Sequence, residues 1–348
     1  MSTPKLKKDL ELIQLSPTSF VNRNNLHAFP NNIANGNSFG GCLIYQSLLA
    51  AFKTLTDPSQ YRCASLHSSF IAKVTHTARV TYKVETLRNG NSIQHRLVKA
   101  IQNGKVVYIS TLMFVKRVAP IKFGKQPTIN QSPIPNHGTK IIANNPFAKR
   151  QRFDTHAINE TDSHGPLFQS DSHQALVSIN CMDFCKPRQS TPGDHLFPAS
   201  EPIDGPTATS RNSYFWSKVK RPKPSSAVMD NTMPEYMDQL VLGYTSDHSF
   251  ISTVSQVLGY DFGSEAFTVS LDHTIYFQDT CHKPDIFDWW FSVTKVLKSE
   301  KGRSVLSMSM FNSHGEMMAI VNQEAFCVFD NRDNKLILPK DTTMLTKL

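Results

Sequence analysis

The feature that most limits the fold of this chain is a segment, GGCLIYQSLLAAF at Gly40–Phe52, that is apolar on almost every side. A helix of this kind has no face for solvent, so it must be surrounded by protein. The residues after it alternate in polarity, and RNGNS (Arg88–Ser92) and NGK (Asn103–Lys105) predict tight turns between strands. The sequence therefore predicts one buried helix followed by an antiparallel meander that wraps it.

A second region repeats this order. The stretch DHSFISTVSQVL predicts a helix that begins at Asp247 and stops at Gly259. Three further strands and two turns follow the first strand of this region, FTVSLDHTIYF. That first strand is predicted to carry five apolar side chains on one face: Phe267, Val269, Leu271, Ile275 and Phe277. Two copies of a helix wrapped by a sheet predict an α+β fold built as a fused pseudo-dimer.

Composition divides the chain into two apolar regions, residues 9–118 and 201–334, with a polar connection between them. Residues 119–200 contain nine of the chain's twenty prolines and are rich in Asn, Gln, Ser and His. Such a segment has little to bury and many breaks, so we interpret it as a long linker. Residues 335–348 are interpreted as an exposed tail.

Charge and cysteine content exclude several classes of protein. The net charge of +9 favours an anionic partner, but the basic residues are scattered, so nucleic acid is not favoured. The first residues, MSTPKLKKDLELIQL, lack the apolar core of a signal peptide, and no later stretch approaches a membrane span. CMDFC (Cys181–Cys185) is the only close cysteine pair, and it lacks partners at zinc-site spacing. Free thiols in a reduced intracellular protein, without metal or cofactor, are expected.

Several motifs resemble those of the acyl-CoA thioesterase II family, including its fungal peroxisomal members. The first region carries FGGCLIYQSLLAA, LHSSF and VETLRNGNSIQHRLVKAIQNGK, and the second carries LGYTSDHSF, SLDHTIYF and NQEAF. They occur in the family's order and span both apolar regions. The resemblance implies a double hotdog, in which two helix-wrapped sheets join side by side. It also implies hydrolysis of fatty acyl-CoA to free acid and coenzyme A.

The same resemblance implies that Asp247, Ser270 and Gln323, all in the second hotdog, hold and activate the attacking water. A carboxylate suits general base catalysis, and a hydroxyl and an amide suit orientation of water and stabilisation of an oxyanion. The local pattern alone leaves other interpretations open. In these interpretations Asp247 is a helix cap, Ser270 is a solvated strand hydroxyl, and Gln323 is an amide whose hydrogen bonds are satisfied within its strand.

The first hotdog has FGGC, with Gly40 and Gly41, at the position that corresponds to Asp247. This copy is therefore expected to be catalytically empty, and its glycines to permit close approach of backbone to a ligand or to the sheet. Lys301 and Arg303 in EKGRS are candidate contacts for the phosphates of coenzyme A, although solvated turn charges are commoner.

Three histidines bear on the alternatives to acyl-CoA hydrolysis. His67 in LHSS and His273 in LDHT occupy corresponding places, and both are expected to be structural, each supporting a strand end. A hotdog enoyl-CoA hydratase or dehydratase would need a histidine paired with an acid, for which His248 and His273 are the candidates. A non-catalytic acyl-CoA-binding protein is the other alternative, and the Asp-Ser-Gln set argues against it.

The chain ends in Thr346, Lys347 and Leu348. This tripeptide differs from the peroxisomal address Ser-Lys-Leu only by Thr in place of Ser. We therefore expect a peroxisomal import receptor as a partner beside the acyl-CoA substrate, and a cytoplasmic location if the tail is not recognised. The sequence leaves acyl chain length and homo-oligomer formation open.

Overall fold

A computed structural model describes residues 5–28, 36–117, 167–168, 176–180, 212–219, 233–248, 250, 253–254, 265–288 and 290–329. The helices within these ranges are α1 (Lys5–Asp9), α2 (Gly40–Phe52) and α3 (Met237–Ser246), with a 3₁₀ turn at Pro58–Gln60. Before the long gap the strands are β1 (Leu12–Ser16), β2 (Ser19–Asn22), β3 (Tyr61–Phe70), β4 (Thr81–Asn89), β5 (Ile93–Gln102) and β6 (Lys105–Lys116). After it they are β7 (Leu167–Phe168), β8 (Leu176–Asn180), β9 (Asn212–Val219), β10 (Glu265–Phe277), β11 (Trp290–Glu300), β12 (Arg303–Phe311) and β13 (Met317–Phe329).

These strands form one sheet in the order β1-β2-β4-β5-β6-β3-β10-β13-β12-β11-β9-β8-β7, and neighbouring strands are antiparallel. The first half, residues 5–117, supplies the strands up to β3, and the second half, residues 212–329, supplies most of the remainder. The halves join where β3 pairs with β10, from Ser65 opposite Tyr276 to Ser69 opposite Asp272. The described sheet is therefore continuous across both halves.

Helix α2 occupies the predicted range and is buried along almost its whole length. It packs against β4, β5 and β6 on one side and against α3 on the other. Gln46, a long polar side chain within it, is fully buried. The Gln46 amide donates to the Leu10 carbonyl (3.2 Å) and accepts from the Tyr82 hydroxyl (2.8 Å), so its burial leaves no polar atom unsatisfied.

Two hairpin turns confirm the sequence analysis. Asn103 and Gly104 have φ of 51° and 76°, and Lys301 and Gly302 have φ of 52° and 82°. Positive φ at both central residues is the geometry that joins two antiparallel strands tightly, and it favours Asn-Gly pairs.

The helical region around Asp247 differs from the prediction. Helix α3 ends at Ser246, Asp247 follows as its C-cap residue, and helical residues resume at Phe250. Asp247 thus lies between two helical segments and does not begin the first of them. The earlier helix forms because its apolar residues recur at spacings of three and four along one face, at Met237, Leu240, Val241 and Tyr244.

Strand β10 also differs from the prediction, because its apolar residues do not share one face. Phe267 is 37% exposed, whereas Ile275 and Phe277 are buried. Between Ser270 and Asp272 the register against β13 slips, with Ser270 opposite Ala325 and Asp272 opposite Glu324. A bulge of this kind reverses which side chains point inward beyond it.

The predicted domain limits remain predictions. Strands β7 and β8 fall inside the range 119–200 that was interpreted as a linker, and β8 pairs with β9. Residues 335–348, Cys181 and Cys185 lie outside the described residues, and the other four cysteines are free thiols. No helix in the described part of the chain is long and apolar enough to cross a membrane.

Substitution of glycine where α2 meets α3 tests this packing. A Cβ on Gly41 would lie 2.5 Å from the Tyr244 carbonyl oxygen and 2.5 Å from the Phe39 ring, whereas a Cβ on Gly243 would lie 3.1 Å from the Cγ2 methyl group of Ile44. We expect Gly41→Ala to lower the free energy of unfolding by about 2–4 kcal/mol through overpacking. Gly243→Ala should change the free energy of unfolding by less than about 1 kcal/mol, because the higher helix propensity of Ala offsets a small displacement at the Ile44 contact. Urea unfolding measures both, and equal losses would contradict the packing described.

Candidate active site

The carboxyl group of Asp247 lies in the interior where the two halves meet, with only 8% of the residue exposed. Its Oδ2 lies so close to α2 that a Cβ on Gly40 would approach it to 2.6 Å. The backbone N–H of Gly41 donates to the same carboxyl group. The N-terminus of α2 therefore directs its free amide and the positive end of its dipole at an acid from the other half.

The structure brings the three predicted catalytic residues into one hydrogen-bonded network. The Gln323 amide Nε2 donates to Ser270 Oγ at 2.6 Å, and Ser270 Oγ donates to Asp247 Oδ1 at a long 3.5 Å. Gln323 also donates to the Asp247 carboxyl group. The bulge in β10 is what directs Ser270 inward, against its expected parity with the solvated residues of that strand.

Burial raises the pKa of Asp247 to about 7, and hydrogen bonds from Gly41, Gln323 and Ser270 reduce that rise without cancelling it. A carboxyl group that titrates near neutral pH can accept a proton during catalysis. These donors come from α2, β13 and β10, so the carboxyl group is bonded to three elements outside its own helix.

His273 is completely buried and bonded on both ring nitrogens. Its Nε2 lies 2.8 Å from Ser246 Oγ, and its Nδ1 lies 2.7 Å from Gln323 Oε1. Burial lowers the pKa of His273 to about 4. Its two nitrogens therefore face a hydroxyl and an amide, which is not the histidine–acid pair that a hydratase would need. His67, expected to play the same part in the first half, lies exposed on β3.

Sequence reasoning missed the contacts of Gln323 with His273, of His273 with Ser246, and of Gly41 with Asp247. Alternation places His273 on the buried face of β10 with Ile275 and Phe277, but no pattern in the sequence indicates which side chains its two ring nitrogens meet. The third had a usable signal, because paired glycines that open a buried helix permit another group to approach its first turn closely.

The other predicted ligand contacts lie outside this network. Lys301 and Arg303 are exposed on the β11–β12 hairpin, and Arg303 forms a salt bridge with Glu324. Their contact with coenzyme A phosphates stays a prediction. The described residues contain no cluster of His, Cys, Asp and Glu arranged to bind a metal ion.

A cleft of about 350 Å³ lies beside α3, but it includes none of the three predicted catalytic residues. Its lining combines basic and acidic groups, among them Arg62, Arg117, Asp238 and Lys283. This mixture of charges does not suit a fatty acyl chain, so we do not assign the acyl chain to this cleft.

Comparison with known proteins gives two family matches that together span most of the chain. The acyl-CoA thioesterase N-terminal domain matches residues 30–115, and the acyl-CoA thioesterase C-terminal domain matches residues 164–327. The peroxisomal acyl-coenzyme A thioester hydrolase 1 of Saccharomyces cerevisiae is 27% identical, over 94% of this chain and 96% of that protein. Human acyl-coenzyme A thioesterase 8 is 26% identical, over 72% of this chain and 68% of that protein.

Solved structures confirm the predicted α+β double hotdog fold. The acyl-CoA thioesterase II TesB2 of Mycobacterium marinum matches with a TM-score of 0.60 at 19% identity, over 94% of this chain and 99% of that chain. A protein with a hot dog fold from Alicyclobacillus acidocaldarius matches with a TM-score of 0.58 at 14% identity, over 94% of this chain and 98% of that chain. At these identities the similarity establishes the fold.

The raised pKa of Asp247 predicts a cost in stability that grows with pH. The folded protein holds this proton up to about pH 7, whereas the unfolded chain releases it near 3.8, the ordinary pKa of an aspartate. As the pH rises between these two values, the stability that the neutral carboxyl group contributes is lost, by at most about 4 kcal/mol. Asp247→Asn stays neutral, so its free energy of unfolding should exceed that of the wild type by more at about pH 8 than at about pH 4. Denaturant unfolding at both pH values measures this, and a pH-independent difference would contradict the buried carboxyl group.

Proposed function

The chain belongs to the acyl-CoA thioesterase family and hydrolyses acyl-CoA thioesters, and we propose that Asp247 is the general base of that reaction. Ser270 and Gln323 orient the attacking water and stabilise the negative charge that develops on the substrate. The second hotdog carries the catalytic residues, and the first contributes the N-terminus of α2.

The observation that carries this proposal is the buried carboxyl group of Asp247, which has a pKa of about 7 and lies next to a hydroxyl and an amide. A general base works best when its pKa is close to the working pH, since it must be ionised before the reaction and protonated during it. A helix cap needs neither burial nor a raised pKa.

In the first step, the water oxygen forms a bond to the thioester carbonyl carbon while Asp247 takes a proton from that water. The carbonyl oxygen becomes negatively charged in the tetrahedral intermediate. Donors already oriented in a dry site stabilise such a charge more than water does. The Gln323 amide and the Ser270 hydroxyl hold the Asp247 carboxylate before the reaction and can donate to the substrate oxygen once Asp247 is protonated, and the amides at the N-terminus of α2 add to them.

In the second step, the intermediate collapses, the carbon–sulfur bond breaks, and the fatty acid leaves with the oxygen of the water. The thiolate of coenzyme A takes the proton from Asp247, which returns the carboxylate to its starting state. Each turnover thus consumes one water and needs no covalent intermediate with the protein.

We further propose that the substrate is a fatty acyl-CoA and that the enzyme works in the peroxisome. The name of the yeast relative supports that location, and the C-terminal Thr346-Lys347-Leu348 resembles a peroxisomal address. Lys301 and Arg303 are exposed cations that suit the phosphates of coenzyme A.

Asp247→Ala is expected to lower kcat by about 10²–10⁴-fold, because it removes the general base. Release of the free thiol of coenzyme A from palmitoyl-CoA, and from a panel of acyl chain lengths, measures the rate. Asp238→Asn is the matched control, since Asp238 is another partly buried acid, on α3, with a raised pKa and no contact to the network. The control should keep its kcat within about threefold of the wild type. A folded Asp247→Ala protein with wild-type turnover would refute the assignment.

In the wild type, kcat/KM should rise with pH to a plateau, with its midpoint near the pKa of about 7 given to Asp247 by burial. Only the ionised carboxylate accepts a proton, so activity is lost on the acid side. Thiol release at low substrate concentration across the pH range gives this profile. A midpoint near the value of an ordinary exposed aspartate would contradict a buried base.

Deletion of Thr346-Lys347-Leu348 tests the location. A fluorescent protein fused to the N-terminus of the full chain should collect in peroxisomes, and the shortened chain should remain in the cytoplasm with unchanged thioesterase activity. Replacing Thr346 by Ser is the matched control and should preserve import. Peroxisomal import of the shortened chain would show that the tail is not the address.

A further inference from the structure

His273 is a member of the buried network to which the proposed reaction assigns no part. It lies on β10 with no exposed surface, and both of its ring nitrogens are within hydrogen-bond distance of a partner. The imidazole and the Phe250 ring pack perpendicular to each other, with 5.6 Å between ring centroids and an angle of 82° between planes. The backbone carbonyl of His273 accepts from Ser68 Oγ at 2.8 Å, across the junction of the two halves. The ring is therefore confined in both position and orientation.

The chemistry of the partners determines which ring nitrogen carries the proton. Gln323 Oε1 is an amide oxygen and can only accept, so His273 Nδ1, at 2.7 Å, must donate to it. A neutral imidazole then has a lone pair on Nε2 that accepts from the Ser246 hydroxyl at 2.8 Å, and the Gly243 carbonyl oxygen, 3.0 Å from Ser246 Oγ, is the other acceptor available to that hydroxyl. The lowered pKa of His273 is consistent with a neutral ring.

The remaining bonds point in the same direction. The Gln323 amide nitrogen donates to Ser270 Oγ at 2.6 Å, and the Ser270 hydroxyl donates to Asp247 Oδ1 at 3.5 Å. The donors thus run from Ser246 through His273, Gln323 and Ser270 to the carboxyl group. Were the amide of Gln323 turned over, its oxygen would face the Asp247 carboxylate and the network would lose a donor at the place where negative charge resides.

We propose that His273 is a positioning residue that fixes the orientation of the Gln323 amide, so that its N–H groups face Ser270 and Asp247. This inference rests on the proposed function, because it assigns His273 an effect only through catalysis by Asp247 and Gln323. A side-chain amide is nearly symmetric in shape, so packing alone distinguishes its two orientations poorly. A donor fixed on one side of the amide distinguishes them.

Two substitutions separate the nitrogens of the ring. The amide nitrogen of His273→Asn can take the place of Nδ1 and still donate to Gln323. His273→Gln reaches instead toward Ser246, at the position of Nε2, and removes the donor to Gln323. We expect His273→Gln to lower kcat between about tenfold and hundredfold with KM changed less than about threefold. His273→Asn should recover most of that loss. A purely structural histidine would give both variants the same kcat.

A double substitution tests whether His273 acts through Gln323. If it does, His273→Gln should have less than about a twofold effect on kcat in a Gln323→Ala background, because there is no amide left to orient. Independent, multiplying losses would overturn the proposal. His67→Gln, at the corresponding but exposed position on β3, is the control and should leave kcat unchanged.

A measurement on the wild-type protein needs no variant to fold. Nitrogen-15 NMR of the histidine rings distinguishes the two neutral tautomers, and His273 should carry its proton on Nδ1. A proton on Nε2 would refute the proposed direction of the network. The proposed function and this inference fail under different outcomes. Full activity of Asp247→Ala would refute the proposed function. An inactive Asp247→Ala together with a fully active His273→Gln would refute only the role of His273.

Discussion

Burial of one carboxyl group at the meeting of the two halves is the constraint on which the site depends. An ionised carboxylate loses most of its hydration there, and only hydrogen-bond donors supplied by the protein can offset that loss. Asp247 lies just past the C-terminal end of α3, where the helix dipole disfavours negative charge. The N-terminus of α2 offsets part of that disadvantage, because the Gly41 amide donates to the same group. One hotdog therefore supplies the acid, and the other supplies part of the field that allows it to ionise.

The burial of Asp247 also accounts for the two glycines that let α2 lie close to this acid and to α3. Gly40 leaves the space that the Asp247 carboxyl group occupies, and Gly41 lets α2 pass close to the backbone of α3. On the other side of the acid, the bulge in β10 places Ser270 and His273 on the same side of the sheet, where both bond to Gln323. A regular strand would direct residues three apart to opposite faces and would separate the hydroxyl from the imidazole. The site is thus assembled by two local departures from regular structure on a regular scaffold.

The sequence predicted the scaffold far better than the local departures. Helix α2 occupies the predicted range, because a segment that is apolar on every side has few alternative structures. The identities of Asp247, Ser270 and Gln323 came from resemblance, since each also fits a bland local interpretation. The helix before Asp247 was missed although its apolar residues have helical spacing. The bulge had no signal in the pattern, because a one-residue shift in register depends on the partner strand and the turn that precedes it.

The same burial acts on both ionisable members of the network and drives both toward their neutral forms. It raises the pKa of Asp247 to about 7 and lowers the pKa of His273 to about 4. A protonated imidazole would add a positive charge beside the amide and could no longer accept from Ser246. With a neutral ring, Ser246, His273, Gln323 and Ser270 form a line of uncharged dipoles that all point toward the carboxyl group. In the proposed reaction, the donors that stabilise the Asp247 carboxylate become available to the substrate oxygen once Asp247 takes the proton from water, so one set of donors serves the negative charge in both places.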